Sequence, residues 1–194
     1  MEIAKPVFSS YNSLVDLVAP GENLVYAPGL SNSGTSFASP LVAGAAALLR
    51  VEHPHWTAPQ VMARLKTTAD YVDDFIENQF YRGKLGAGRL NMYRALSDPL
   101  KALSIGAYAF DQGVRGGYLY AGQTSQMICY LDNYLEPLNT LHVTLRAYSP
   151  YVQLLDSMAS YGAVSSEVRV NNFNDPFRIA WRPKRPPIPL PVLS

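Results

Sequence analysis

The run Gly34-Thr35-Ser36, followed at once by Phe37-Ala38-Ser39-Pro40-Leu41-Val42-Ala43-Gly44, places a hydroxyl where a helix begins. Gly34 permits a close backbone approach that a Cβ would obstruct. Thr35 and Ser36 stand where the first helical N–H groups have no partner inside the helix. Those N–H groups, with the positive end of the helix dipole, favour negative charge nearby. A serine there combines a nucleophilic oxygen with part of an oxyanion site, because its own N–H points the same way. The bland alternative, a capped core helix, answers to the same short spacing, since Gly-x-Ser turns are common. Pro40 falls in the early helix, where a missing N–H costs little. From Phe37 to Val51 the helix is apolar on nearly every side and rich in alanine, a pattern that predicts burial.

The elements that must position this serine are short. Val15-Asp16-Leu17-Val18-Ala19 reads as a strand closed by Pro20-Gly21, and Asn23-Leu24-Val25-Tyr26-Ala27 as a second closed by Pro28-Gly29. Leu30-Ser31-Asn32-Ser33 reads as a loop leading into the serine turn. Strand, loop and buried helix in succession predict an α/β layer architecture with a mainly parallel sheet. Beyond the serine helix, Thr57 and Gln60 form a capping box for a helix to about Lys66, with Val61, Met62 and Leu65 on its apolar face. Thr67 to Lys84 reads as a polar surface loop. Its Asp70, Asp73, Asp74 and Glu77 have no glycine-centred calcium-loop spacing and read as a solvated acidic turn. Gly86-Ala87-Gly88 allows a tight backbone approach, and Asn91 caps a last short helix, Met92 to Leu96, before Ser97-Asp98-Pro99.

From about Ile105 the period changes to two. Met127, Cys129 and Leu131 alternate with their neighbours, and Leu141, Val143, Leu145 and Ala147 alternate with His142, Thr144 and Arg146. Turn signals near Gly116-Gly117, Asp132-Asn133, Glu136-Pro137, Ser149-Pro150 and Asn174-Asp175-Pro176 set a rhythm of short strands, about six, that predicts an incomplete β-sandwich. Pro183 to Pro191 cannot pair in a sheet and favours polyproline II. Arg185-Pro186-Pro187-Ile188-Pro189 has the form of an SH3-type ligand, but a disordered or non-native tail is the reading adopted. The domain organisation is therefore 1–98 for the first domain, 99–104 as linker, 105–181 for the β-module and 182–194 as tail.

Composition narrows the function classes. The 194 residues are 48% hydrophobic and 16% charged, enough for a packed core. A net charge of +1 gives no case for nucleic acid as partner. Cys129 is the sole cysteine, which excludes an intrachain disulfide and a Cys-based metal site, and its apolar neighbours read as a buried, inert thiol. No apolar run is long enough to span a membrane, and the first residues carry no signal-peptide pattern.

The string Gly34 to Gly44 resembles the catalytic-serine signature of the subtilisin-like serine proteases, the subtilases. The resemblance extends through Phe8-Ser9-Ser10-Tyr11 and Val18-Ala19-Pro20-Gly21 upstream. Downstream it includes His53-Pro54-His55-Trp56-Thr57 and Gly86-Ala87-Gly88-Arg89-Leu90-Asn91, so that it covers roughly residues 5–98. It implies the C-terminal part of a three-layer α/β catalytic domain that hydrolyses peptide bonds of protein or peptide substrates. Ser36 is then the nucleophile, with Thr35 on the oxyanion side and Asn32, Ser33 and Gly34 bordering the cleft. It implies no cofactor; family members often bind structural calcium, for which no site is assignable here. It also implies secretion, and the β-module is similar to the immunoglobulin-like or fibronectin-like modules that follow such domains.

Departures from the pattern matter as much. A serine hydroxyl needs a base within hydrogen-bond reach and a third group to orient that base. In the subtilisin order, aspartate and histidine precede the serine. Here 35 residues precede Ser36, none is histidine, and Asp16 is the sole aspartate among them. His53, His55 and His142 all come later, and no upstream asparagine matches the family's oxyanion side chain. The expectation is a fragment, inactive alone, whose partner is the missing N-terminal part of the domain and whose serine helix exposes apolar surface. The alternative is a non-catalytic relic that serves as a binding or structural module. A weaker third reading makes the β-module a carbohydrate or adhesion domain.

Overall fold

A computed structural model describes residues 4–110 and 122–182. The chain divides into two compact units: the first takes the described residues up to Ser104 together with Asp132–Leu138 and Ser165–Val168, the second takes the rest. The Gly116-Gly117 turn and the proline-rich run from Pro183 lie outside the described residues.

In the first unit, β1 (Leu24–Ala27) and β2 (Leu30–Asn32) form an antiparallel hairpin across Pro28-Gly29. Gly29 supplies the left-handed φ of 73° that so tight a reversal needs. The expected loop at Leu30 is therefore a strand: one turn away from β1, its backbone pairs whatever its side chains prefer. Val15–Ala19, expected as a strand, is instead a single parallel bridge from Val18 to Arg89. The strand pair described in this unit is antiparallel, so the mainly parallel sheet expected from the strand–helix order is not formed among these residues.

Helix α1 (Thr35–Glu52) buries only Ala45 and Leu49 fully. With half-buried Val42 and Ala46 they form one stripe at helical spacing, packed with Val61, Leu65 and Ala95. Leu41, Leu48 and Val51 on the other side are exposed, Val51 by 77%. A helix apolar all round was expected to be buried; here only one of its faces meets packing partners.

Helix α2 (Ala58–Thr67) has its expected start, with Gln60 Oε1 accepting the Thr57 N–H at 2.8 Å. Its buried face is Val61, Ala63, Arg64 and Leu65, whereas Met62, expected on that face, is exposed. Residues 67–84 are no surface loop. Thr68, Ala69, Val72, Asp73 and Asn78 are buried, and a 3-10 helix runs over Ile76–Tyr81. The polar ones are buried because they are bonded: Asn78 Nδ2 donates to the Val72 carbonyl at 2.9 Å, and Asp73 Oδ2 accepts the Gly83 N–H at 2.7 Å. Helix α3 (Met92–Ser97) is capped as expected by Asn91, whose side chain accepts the Arg94 N–H at 3.0 Å.

The second unit contains seven strands among its described residues: β3 (Leu103–Phe110), β4 (Thr124–Asn133), β5 (Leu138–Thr144), β6 (Val152–Asp156), β7 (Met158–Val164), β8 (Arg169–Asn171) and β9 (Phe177–Trp181). One sheet runs β3-β4-β9-β6 with β8 on β4, and β5 pairs with β7 in another. Cys129, Phe177 and Ala159 pack into one cluster with Val143, Leu145 and Tyr161, so side chains of both sheets share a core. The expected alternation holds on β5. On β4 Ile128 is buried as well as Cys129 and Leu131, so both faces of that strand are covered. Burial raises the Cys129 thiol pKa and makes the thiolate scarce.

Candidate functional site

The serine turn is held from behind by backbone contacts. The Gly34 N–H donates to the Gly21 carbonyl at 2.7 Å. A Cβ on Gly21 would stand 2.9 Å from the Gly34 carbonyl oxygen and 3.2 Å from Ala38 Cβ, so the Pro20-Gly21 turn approaches α1 as only glycine allows. Gly21 in turn follows Val18, which is tied on both sides of its peptide plane. Its N–H donates to the Gly88 carbonyl at 2.9 Å, and its carbonyl accepts the Leu90 N–H at 2.8 Å. Gly86 and Gly88 make that approach possible: Cβ atoms there would strike the Asp16 and Asp70 carbonyls, and both glycines have positive φ.

Asp70 locks the Gly88–Asn91 segment. It exchanges two backbone hydrogen bonds with Arg89 at 2.8 Å each, and its carboxylate accepts from Asn91 Nδ2 at 2.9 Å and Arg89 Nη2 at 3.0 Å. The Asn91 hydrogen bond first, and the Arg89 hydrogen bond next, hold its pKa below the ordinary carboxylate value. The expected solvated acidic turn is, at Asp70, a paired anion. Because the folded pKa lies below the unfolded one, this contribution to stability is complete above about pH 4 and is lost as pH falls through the folded value. Urea midpoints measured down through the acid range should therefore fall more steeply for the parent than for Asp70→Asn; parallel curves would refute this.

At the site itself, Gly34 precedes the first helical residue, and Thr35 and Ser36 form the start of α1. Both side chains are exposed, and the Ser36 hydroxyl makes no hydrogen bond to another described residue. Thr35 borders a cavity of about 450 Å³ lined mainly by apolar groups, among them Phe8, Val18, Pro20, Leu24 and Leu85. Asn32 and Ser33 lie beside the turn, but their oxygens are engaged. Asn32 Oδ1 accepts the Ser33 N–H at 2.8 Å, and Ser33 Oγ accepts the Asn23 N–H at 2.9 Å. Both side chains thus bind neighbouring backbone N–H groups.

Among the described residues of this unit, the structure brings no histidine to Ser36. His53 follows the last residue of α1, so a rise of 1.5 Å per residue puts it about 25 Å from Ser36 along the helix axis. Its ring stacks on Trp56 at 3.8 Å and 11°. Exposed His55 follows two residues later. Asp16 pairs with Lys66 at 2.8 Å. His142 belongs to β5 of the second unit.

Arg64 is the residue that sequence reasoning missed. It is 1% exposed, and its guanidinium donates to five carbonyls: Ala95, Pro99, Lys101, Arg94 and Asp98, at 2.6 to 3.3 Å. It thereby closes the C-terminal end of α3 and fixes the segment beyond it. Burial lowers its pKa from the usual guanidinium value. The one signal available was an arginine set between apolar positions of α2, which also fits an exposed site.

Residues 3–89 match the subtilase family. The chain is 45% identical over 92 residues to subtilisin NAT of Bacillus subtilis subsp. natto, across 45% of its own length and 22% of that relative. Subtilisin E of Bacillus subtilis (strain 168) matches with the same identity and coverage. Subtilisin Savinase of Lederbergia lenta is 47% identical over 66 residues, 32% of this chain and 24% of the relative. The chain thus spans less than a quarter of the length of these curated relatives. Among the described residues no helix is long and apolar enough to cross a membrane.

Proposed function

We propose that this chain is the C-terminal part of a secreted subtilisin-like serine endopeptidase, with Ser36 as nucleophile and the N–H groups of Thr35 and Ser36 as oxyanion-side donors. The observation that carries the reading is the exposed, unbonded Ser36 hydroxyl at the first turn of an 18-residue helix, inside the subtilase stretch. Asn32, Ser33 and Gly34 border the leaving-group side of the cleft. The substrate is a protein or peptide, and acyl transfer through serine needs no cofactor. The missing aspartate, histidine and oxyanion asparagine belong to an N-terminal part of the domain that completes it. The second unit is proposed as an immunoglobulin-like or fibronectin-like β-sandwich spanning 105–181. The core shared by its two sheets supports this, as does the Tyr161 hydroxyl, which reaches from β7 to the Cys129 carbonyl on β4 at 3.1 Å.

The isolated chain is inactive in this reading, because the nearest histidine of its unit stands a helix length from Ser36. Labelling the purified chain with a serine-directed fluorophosphonate, read by peptide mass spectrometry with Ser36→Ala as control, tests this. No labelling at Ser36 is expected; Ser36-specific labelling would show that a base does reach it. A non-catalytic relic is the second reading, favoured by the engagement of Asn32 and Ser33 in backbone support. An in-frame Asp-Gly and His-Gly-Thr pattern in the genomic sequence ahead of Met1 supports the enzyme, and a stop codon there supports the relic.

A further inference from the structure

Beyond the peptidase reading, the first unit is not complete at Ser104. It includes two stretches from farther along the chain, Asp132–Leu138 and Ser165–Val168. The first joins β4 to β5 and the second joins β7 to β8. Both lie outside residues 3–89, the part that matches the subtilase family. Asp132-Asn133, Glu136-Pro137 and Ser165-Ser166 are turn residues by type, and turns ordinarily run over a solvated surface. Instead Leu135 is buried in a cluster with Ala63 of α2 and Ala102, and Trp56, Leu100 and Tyr134 pack around it. Two of the three buried side chains there are alanines, so Leu135 supplies most of the buried side-chain volume.

Hydrogen bonds fix the same stretches. The carbonyls of Pro99 and Lys101 accept from Arg64, while those of Leu100 and Ala102 accept the N–H groups of Glu136 and Tyr134 at 3.0 and 2.8 Å. The segment from Pro99 to Ala102 is thus held alternately by α2 and by Asp132–Leu138. From α2, Gln60 Nε2 donates to the Tyr134 carbonyl and to Glu167 Oε1, both at 3.1 Å. Glu167 has a left-handed φ of 55°, which residues other than glycine adopt rarely. The Asn133 N–H and Nδ2 donate to the Val168 and Ser165 carbonyls at 2.9 Å each, which ties the two stretches to one another.

We propose that these two connections act as a strap on the subtilase stretch, which draws part of its stability from the chain beyond Ser104. Without the strap, the Leu100 and Ala102 carbonyls lose their donors, and Ala63 and Ala102 lose the side chain that covers them. Arg64 then grips a segment that is held from one side alone. No chemistry at Ser36 enters, so the strap stands or falls apart from the peptidase reading.

Hydrogen exchange of the full chain, read by peptide mass spectrometry, tests this. Leu135→Ala should speed exchange of the α2 amides about tenfold or more. Gln60→Glu keeps the oxygen that accepts the Thr57 N–H, so the start of α2 survives. It removes the amide donor and sets a second carboxylate against Glu167. Exchange over 132–138 should then rise about fivefold. Adding Glu167→Gln to Gln60→Glu exchanges acid and amide between the two positions and should restore part of the lost protection, which a role of Gln60 in capping alone would not do. Unchanged α2 exchange in Leu135→Ala would overturn the strap. So would exchange over 132–138 that Gln60→Glu leaves unaltered, or that the added Glu167→Gln does not slow.

Discussion

Arg64→Ala should destabilise the first unit by about 3–5 kcal/mol, a large part of the ~5–15 kcal/mol that holds a typical domain folded. The reason is the partner set rather than the arginine alone. Five carbonyls at the end of α3 and in the segment after it lose their donor together, and α3 is too short to be replaced by other packing. Arg64→Met should not rescue, because it restores apolar volume and leaves the carbonyls unpaired. Arg64→Lys should recover only part, since a point ammonium cannot reach carbonyls that a planar fork serves at once. Urea unfolding of the three variants checks this. Equal midpoints for Met and parent would show that the site rewards packing alone.

The second large effect is on chemistry. Hydrolysis of a peptide amide by this chain should be indistinguishable from the rate of Ser36→Ala. In subtilisin-like enzymes, removing the base alone lowers turnover by roughly six orders of magnitude. Loss of an oxyanion side chain removes about 10²–10³ in its own test. In the proposed reading, what remains at Ser36 is a hydroxyl and two backbone donors, which would orient an attack but not remove its proton. Rates above that control, lost in Ser36→Ala, would contradict the separation of about 25 Å between Ser36 and His53 along α1. Adding a polypeptide that supplies the upstream aspartate and histidine is the condition under which activity should appear, and its apolar side should cover Leu41, Leu48 and Val51.

The exposed side of α1 shows how sequence and structure divide the account. An alanine-rich helix with leucines all round announces that it is to be buried, yet it cannot announce by what. The stripe through Ala45 and Leu49 finds α2 and α3 within the chain, and the opposite stripe does not.

What the sequence by itself determined is local: the serine turn and its helix, the Thr57–Gln60 start of α2, the Asn91 cap, and the alternation of β5. Each depends on residues within a turn or two of one another, so type and spacing suffice. Only the tertiary structure decided that Leu30–Asn32 pairs back on β1, and that Val18 meets Arg89 instead of joining a strand. It also decided that Asp70 is an ion-paired lock, and that an arginine in α2 serves the carbonyls beyond α3. Apart from the hairpin, which closes over a few residues, those outcomes join residues about 20 to 70 positions apart. Their energy lies in backbone and polar pairing that the types of neighbouring residues do not announce.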